Sequence, residues 1–212
     1  QWSGETSARL TLFCRELGLI RTYFKGARSK KNMGCLDPFT PLWVSLDARH
    51  DRFFVRSIET LMPPAALIGH SLFSALYINE LLYHAMTEEH PDEGLFNAYQ
   101  ITLEGLSESC DAPHVEAALR RFEWSLLTSC GYPFSWSSTA DGAPVLEDAL
   151  YQFVAGRGFV PAVTGIPGRY LLAIAQDNLD VAMHLKAAKQ VMRQAIDHLL
   201  GGRELKSRLL YS

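Results

Sequence analysis

The side chains in this sequence best equipped for chemistry are cations, and four of them stand together. Lys25, Arg28, Lys30 and Lys31 lie within "FKGARSKK", and no Asp or Glu occurs between Glu16 and Asp37. Ammonium and guanidinium groups without an internal counterion serve to hold phosphates or carboxylates. Arg21 adds a fifth cation, and Tyr23, Phe24 and Phe39 flank the run with aromatic surface. A single nucleic-acid strand suits that combination, because its backbone meets the cations while its bases stack on rings. Strand alternation lets only one of Tyr23 and Phe24 face outward. Trp2 and Trp43 are read as packing residues. A solvated loop that keeps the protein soluble is the competing reading of the same run.

A second group of cations falls in the C-terminal half. Arg120 and Arg121 are the only Lys or Arg between residues 63 and 132, and Lys186, Lys189 and Arg193 border Leu185, Val191 and Met192. Basic residues beside an apolar groove can hold a peptide that ends in acids and an aromatic. Ordinary pairing is the alternative: Arg120 with Glu116 or Glu123, and Arg193 with Asp197, at helical spacing. Other chemistries find less support. His184 and His198 are fourteen residues apart on one helix, about 21 Å along its axis, and cannot share a metal. The remaining histidines form neither HxxxH nor HExxH, so no metal is expected. GxSxG, GxxxxGK[ST] and GxGxxG are absent, and a hydrolase would need a dispersed triad around Ser129 or Cys130. No catalytic residue and no cofactor are assigned. Glu88, Glu89, Asp92 and Glu93 read as a solvated acidic connection.

The elements that must carry these residues change character near Pro63. "SARLTLFC", "LIRTYFK", "PLWVSL" and "DRFFVRSIETL" alternate with a period of two, and four short strands with close turns predict a small barrel. After "MPPAA" the spacing becomes helical: "LIGHSLFSALYINELLYHAM", then "GLFNAYQITLEGL", then a helix opening at Pro113 and ending before Gly131. "SWSSTADGAPV" is a break, and "DALYQFVAGRGFVPAV" suggests a small sheet or hairpin. "RYLLAIAQ" predicts a short helix and residues 181–200 a long one, stopped by Gly201-Gly202. "RELKSRLL" restarts a helix. The fold class is therefore α+β, with residues 1–62 as a nucleic-acid-binding barrel, residues 63–212 as a helical domain, and a turn-rich or β insertion at about 133–168.

Composition narrows the setting. The 212 residues are 48% hydrophobic and carry a net charge of −3, which hides a division along the chain. Residues 1–62 hold ten Lys or Arg against six acids, residues 63–132 two against ten, and residues 133–212 eight against seven. A basic N-terminal third suggests an anionic partner there. No apolar run reaches the roughly 18 residues of a membrane span, and no signal peptide is expected. The four cysteines form no CxxC pair, so free thiols and a reducing cytoplasm are expected. The chain opens on "QWSGETS" without Met, and native residues are expected to precede it.

"KGARSKK", "LDPFTPL", "YINELL", "ALRRFEWSLLTSCGY" and "LLGGRELKSRLL" follow one another in this order. Together they resemble the bacterial RecO family of DNA repair proteins over nearly the whole chain. The resemblance implies an N-terminal OB-fold, lacking its first strand here, and a helical C-terminal domain. It also implies a non-enzymatic recombination mediator of the cytoplasm and nucleoid that binds ssDNA and dsDNA and anneals complementary strands. With RecR, it would help load recombinase onto DNA coated by single-strand-binding protein. Carried over by residue, Lys25, Arg28, Lys30 and Lys31 would contact DNA, with Arg21 beside them. Arg121 and Arg193, with Arg120, Lys186 and Lys189, would receive the acidic C-terminal tail of single-strand-binding protein. Many family members carry four zinc-binding cysteines after "GY". The corresponding segment here has none, which implies the zinc-free branch. A generic single-strand-binding OB module without a recombination role is the alternative.

Overall fold

In the computed structural model, the described residues are 2–3, 7–27, 29–50, 52–108 and 111–211, with the side chains of Trp2, Ser3, Lys30, Lys31 and Tyr211 excepted. The N-terminal strands are β1 (Trp2–Ser3), β2 (Ser7–Cys14), β3 (Gly18–Phe24), β4 (Leu42–Arg49) and β5 (Arg52–Thr60), with a one-turn helix α1 (Lys30–Met33) between β3 and β4. They form one sheet in the order β1-β2-β3-β5-β4, antiparallel except where β3 runs parallel to β5. That is the strand order of an OB-fold. β1 is only two residues long and pairs with β2, with Trp2 opposite Ala8.

Period-two patterning explains the barrel. Ala8, Phe24, Val55 and Ile58 are buried together, with Leu10, Leu42, Val44 and Leu46 packed against them. Phe24 points in and Tyr23 points out, as alternation requires. Between Ser45 and Leu46 the register with β5 shifts, so that Ser45 faces Ser57 and Leu46 faces Val55. Arg56 is the extra residue of this bulge and is exposed.

The helical part contains α2 (Gly69–Ala85), α3 (Glu93–Glu108), α4 (Ala112–Ser129), α5 (Gly168–Ala175), α6 (Ala182–Leu199) and a 3-10 helix at Lys206–Tyr211. The C-terminal element is thus a tight 3-10 turn and not a continued α-helix. α4 lies at the centre and packs against α2, α3 and α6. Its Phe122, Leu126 and Leu127 are fully buried with Ile78, Leu81, Val191 and Ile196. Between α4 and α5, β6 (Leu150–Val154), β7 (Gly158–Ala162) and β8 (Ile166–Pro167) make a small antiparallel sheet. Its core is aromatic: Phe134 stands 4.8 Å from Trp124, 5.2 Å from Trp136, 4.6 Å from Phe153 and 5.8 Å from Phe159, ring centre to ring centre. Each such pair contributes about 0.5–1.5 kcal/mol beyond its buried area. Among the described residues, no three His, Cys, Asp or Glu gather where they could hold a metal, and no helix is long and apolar enough to cross a membrane.

The two parts meet through aromatic side chains. Phe13 packs against Phe96 at 5.4 Å and Tyr99 at 5.5 Å on α3. Phe39 was expected as open aromatic surface beside the basic run. It adopts φ 63° and inserts against Ala75, Leu106 and Val115 of α2, α3 and α4. The acidic connection is docked on the barrel. Glu88 bridges to Leu19, the Glu89 amide donates to the Leu19 carbonyl at 2.9 Å, and Arg15 donates to Glu93 at 2.9 Å. Gly18, at φ 67°, leaves no room for a side chain here, since a Cβ would stand 2.2 Å from the His90 carbonyl oxygen.

Candidate nucleic-acid interface

Alternation along β3 places Arg21 and Tyr23 on its outer face, exposed Lys25 follows just past the strand's end, and β5 repeats the device with Arg52, Phe54 and Arg56. The parallel register sets Tyr23 beside Phe54, with ring centres 6.3 Å apart and planes 30° from parallel. Arg9 of β2 is opposite Tyr23 and holds its guanidinium 5.4 Å from the Tyr23 ring centre. On the other side, β4 brings Asp47 opposite Phe54 and Arg49 opposite Arg52. A shallow cleft of about 410 Å³ at the β4–β5 turn is lined by Arg49, His50, Arg52 and Phe54. Half-buried rings therefore occupy the middle of the face, and exposed cations surround them.

Two acids answer these cations among the described residues. Asp47 lies 3.7 Å from Arg49, and Glu88 lies 3.1 Å from Arg21. Arg21 also packs over the Tyr83 ring at 5.1 Å, so it belongs to the junction with the helical part as well as to the face. Lys25 is exposed and has no such partner among the described residues. Gly26, at φ 74°, turns the chain after it, and Asn32 donates to the Gly26 carbonyl at 3.1 Å. Arg28 lies outside the described residues, as do the side chains of Lys30 and Lys31. The backbone of those two lysines opens α1, where an open loop was expected.

The sequence reading missed Arg9, Arg49, Phe54, Arg52 and Arg56. A contiguous basic run draws notice, whereas these come from three strands separated by turns. The signal was present in "RTYFK" and "RFFVR", where cation, ring and cation fall on alternate positions. Trp43, read as a packing residue, is 64% exposed on β4. It is an edge-strand aromatic without a core to enter.

The second group of cations divides. Arg121, on the rim of a cleft of about 500 Å³, donates through Nε to both oxygens of Asp177, at 2.8 and 3.0 Å. Trp124, Trp136, Ile174 and Met192 supply apolar lining. Lys186, Lys189 and Arg193 share one stripe of α6 beside Met192, and Lys189 meets Glu116 at 2.6 Å. Lys186 and Arg193 are exposed without a hydrogen-bonded partner among the described residues. Asp197, the expected mate of Arg193, is taken by Arg208 instead. Arg120 lines the same cleft as Arg121 but directs its guanidinium inward. Its residue is 7% exposed, and it donates to Glu123 Oε1 at 2.7 Å, an oxygen that also accepts from the Tyr77 hydroxyl at 2.7 Å. Burial pushes the Glu123 carboxyl upward from its usual value, against the pull of Arg120 and of the Tyr77 hydrogen bond.

Comparison with known proteins decides the family. Residues 2–62 match the model for "Recombination protein O N terminal", and residues 69–209 match "Recombination protein O C terminal". The chain belongs to the RecO family. DNA repair protein RecO of Legionella pneumophila strain Paris is 54% identical across all of this chain and 93% of its own length. RecO of Psychromonas ingrahamii is 37% identical over 98% of this chain and 92% of its own, and that of Yersinia pestis strain Pestoides F is 37% identical over 98% and 88%. RecO membership gives the molecule a role in DNA repair and recombination, on an α+β frame of OB-like barrel and helical domain.

Proposed function

We propose that this RecO-family chain is a non-enzymatic recombination mediator of the cytoplasm. It binds ssDNA and dsDNA through residues 1–62, anneals complementary strands, and helps load recombinase onto DNA coated by single-strand-binding protein, together with RecR. Residues 63–212 recruit the protein partners. The observation that carries the reading is the outer barrel face, where exposed Lys25, Arg52 and Arg56 surround two rings. Annealing breaks no bond. It requires that phosphate repulsion between two strands be neutralised while base edges stay free, and cations on a small barrel can do both. Arg21 adds to that face, and Arg28, Lys30 and Lys31 of the basic run are assigned to the same DNA from the sequence. For the protein partner, the cleft beside Arg121 and the stripe of Lys186, Lys189 and Arg193 offer apolar depth with a basic rim. Those features suit an acidic tail that ends in an aromatic and a carboxylate.

Strand annealing, measured with and without single-strand-binding protein at several salt concentrations, tests both halves. Lys25→Ala with Arg56→Ala is expected to slow annealing of bare strands and to flatten the salt dependence of binding by up to about two units. Arg193→Ala is expected to slow only the protein-coated reaction. An unchanged salt dependence in the first variant removes the barrel face as the DNA contact. Equal behaviour of Arg193→Ala and wild type on coated strands removes the α6 stripe as the tail contact.

A further inference from the structure

We propose that Tyr23 and Phe54 form a stacking site for the unpaired bases of single-stranded DNA, so that this face distinguishes single strands from duplex. The inference rests on the DNA-binding reading above and adds what that reading leaves open, namely which groups tell the two forms apart. Neighbouring strands bring the two rings side by side, 6.3 Å apart and inclined by only 30°. A platform of this kind offers one continuous apolar surface to a flat ligand. Both residues remain partly exposed although the same strands bury Phe24 and Val55 beneath them.

Ring pairs on adjacent strands also stabilise sheets, each by packing alone. The surroundings here argue for a ligand. Arg9 stands against the Tyr23 ring, Arg21 and Lys25 lie two residues to either side of Tyr23, and Arg52 and Arg56 do the same for Phe54. A pair whose purpose was packing would be served by apolar neighbours, whereas this one has cations along both strands and across from Tyr23, with the single acid Asp47 across from Phe54. Flat apolar groups set among phosphate-binding groups match a strand whose bases and backbone alternate along its length. The cleft at Arg49, His50, Arg52 and Phe54 continues the surface past the ring of Phe54.

Duplex cannot use the rings, because its bases already stack on one another and turn only edges and phosphates outward. Cations serve both forms equally. The aromatic contribution therefore appears in single-strand affinity alone. It carries no charge and leaves the number of released counterions unchanged.

The test is a fluorescence anisotropy titration of an oligothymidylate, and of a mixed-sequence duplex of equal length, across a salt series. Wild type is compared with Tyr23→Leu/Phe54→Leu, which keeps apolar volume but removes the rings. Single-strand binding is expected to weaken on the order of ten- to a hundredfold, with duplex affinity within about twofold of wild type and an unchanged salt slope. Phe54→Trp keeps a ring and is expected to retain single-strand affinity, which guards against a variant that merely misfolds. Parallel weakening of both ligands, or no weakening of either, overturns the stacking site. A wild type that binds neither ligand overturns the DNA-binding reading itself, and the stacking site with it.

Discussion

Arg120 and Arg121 are neighbours in sequence with opposite fates, because successive residues on a helix point about 100° apart. Arg121 reaches out to Asp177, while Arg120 turns inward to Glu123 and, through it, Tyr77. The spacing permitted Glu116 or Glu123 as partner of Arg120, and only tertiary packing chooses, since Glu116 belongs to Lys189. Arg120 Nε and Glu123 Oε2 are buried without hydrogen-bond partners among the described residues, so the pair is held by contacts on one side only. Arg120→Ala is expected to cost about 3–5 kcal/mol, because it leaves a buried carboxylate unpaired. Arg120→Met with Glu123→Leu removes both charges and is expected to cost much less than the single change. Urea unfolding of wild type, single and double variants measures this, and a double variant as unstable as Arg120→Ala alone would refute the account. The pH dependence has a definite sign. Glu123 is raised above its ordinary 4.5, so the folded state binds its proton more tightly. That term costs stability as pH climbs from the ordinary value through the raised one. Loss of Arg120 removes a charge that lowers the Glu123 carboxyl, so in Arg120→Ala the cost grows larger and extends to higher pH.

Elements were legible where one physical pattern governs them. The period of two along "LIRTYFK" separates Tyr23 from Phe24, and the helical spacing with Pro113 and Gly131 bounds α4. Elements whose role depends on what they touch were not. Nothing local marks the strand residue Phe13 or the loop residue Phe39 as contacts for helices that follow much later in the chain. The C-terminal 3-10 helix is another example. Its "LKSR" is short and charged, yet Leu205 is 1% exposed, and Glu80 of α2 accepts from the amides of Lys206 at 2.9 Å and Ser207 at 2.8 Å. A carboxylate at the start of a helix answers its unpaired amides. Burial alone would raise the Glu80 carboxyl. The Ser207 hydroxyl and both amides outweigh it and hold the group below its usual 4.5. The clamp is therefore complete above that value and is lost as pH falls through the lowered one. Amide hydrogen exchange is expected to show protection of Lys206 and Ser207 falling about tenfold in Glu80→Gln, whose amide nitrogen cannot accept. Unchanged protection in that variant would mean that packing of Leu205 alone secures the segment.

At the scale of the whole molecule, the charge division visible in the sequence becomes a junction. The acidic connection and the basic barrel lie against each other, and Arg15 is held there by Glu93, by Gln100 at 2.9 Å and by the Phe96 ring at 4.8 Å. Glu88, Glu89 and Glu93 are exposed, as a solvated connection requires, but that reading did not foresee their pairing with Arg15 and Arg21, because a charge run has no address until the other half of the chain folds against it. Arg21 is the residue where junction and DNA face compete. Its side chain is 46% exposed and that of Glu88 42%, and such pairs are worth only about 0–1 kcal/mol in water. A phosphate arriving at the face can therefore take Arg21 from Glu88, but it must displace a carboxylate to do so. Part of the counterion release that Arg21 offers is already spent inside the protein. Glu88→Gln keeps the backbone bridge to Leu19 while discharging the competitor. Its single-strand affinity at low salt is expected to exceed that of wild type, with a salt slope steeper by about one unit. Its urea midpoint should stay close to that of wild type, since the junction retains Phe13, Phe39 and the Arg15 contacts. If affinity and slope both remained at wild-type values, Arg21 would belong to the junction alone, and the DNA face would begin at Tyr23.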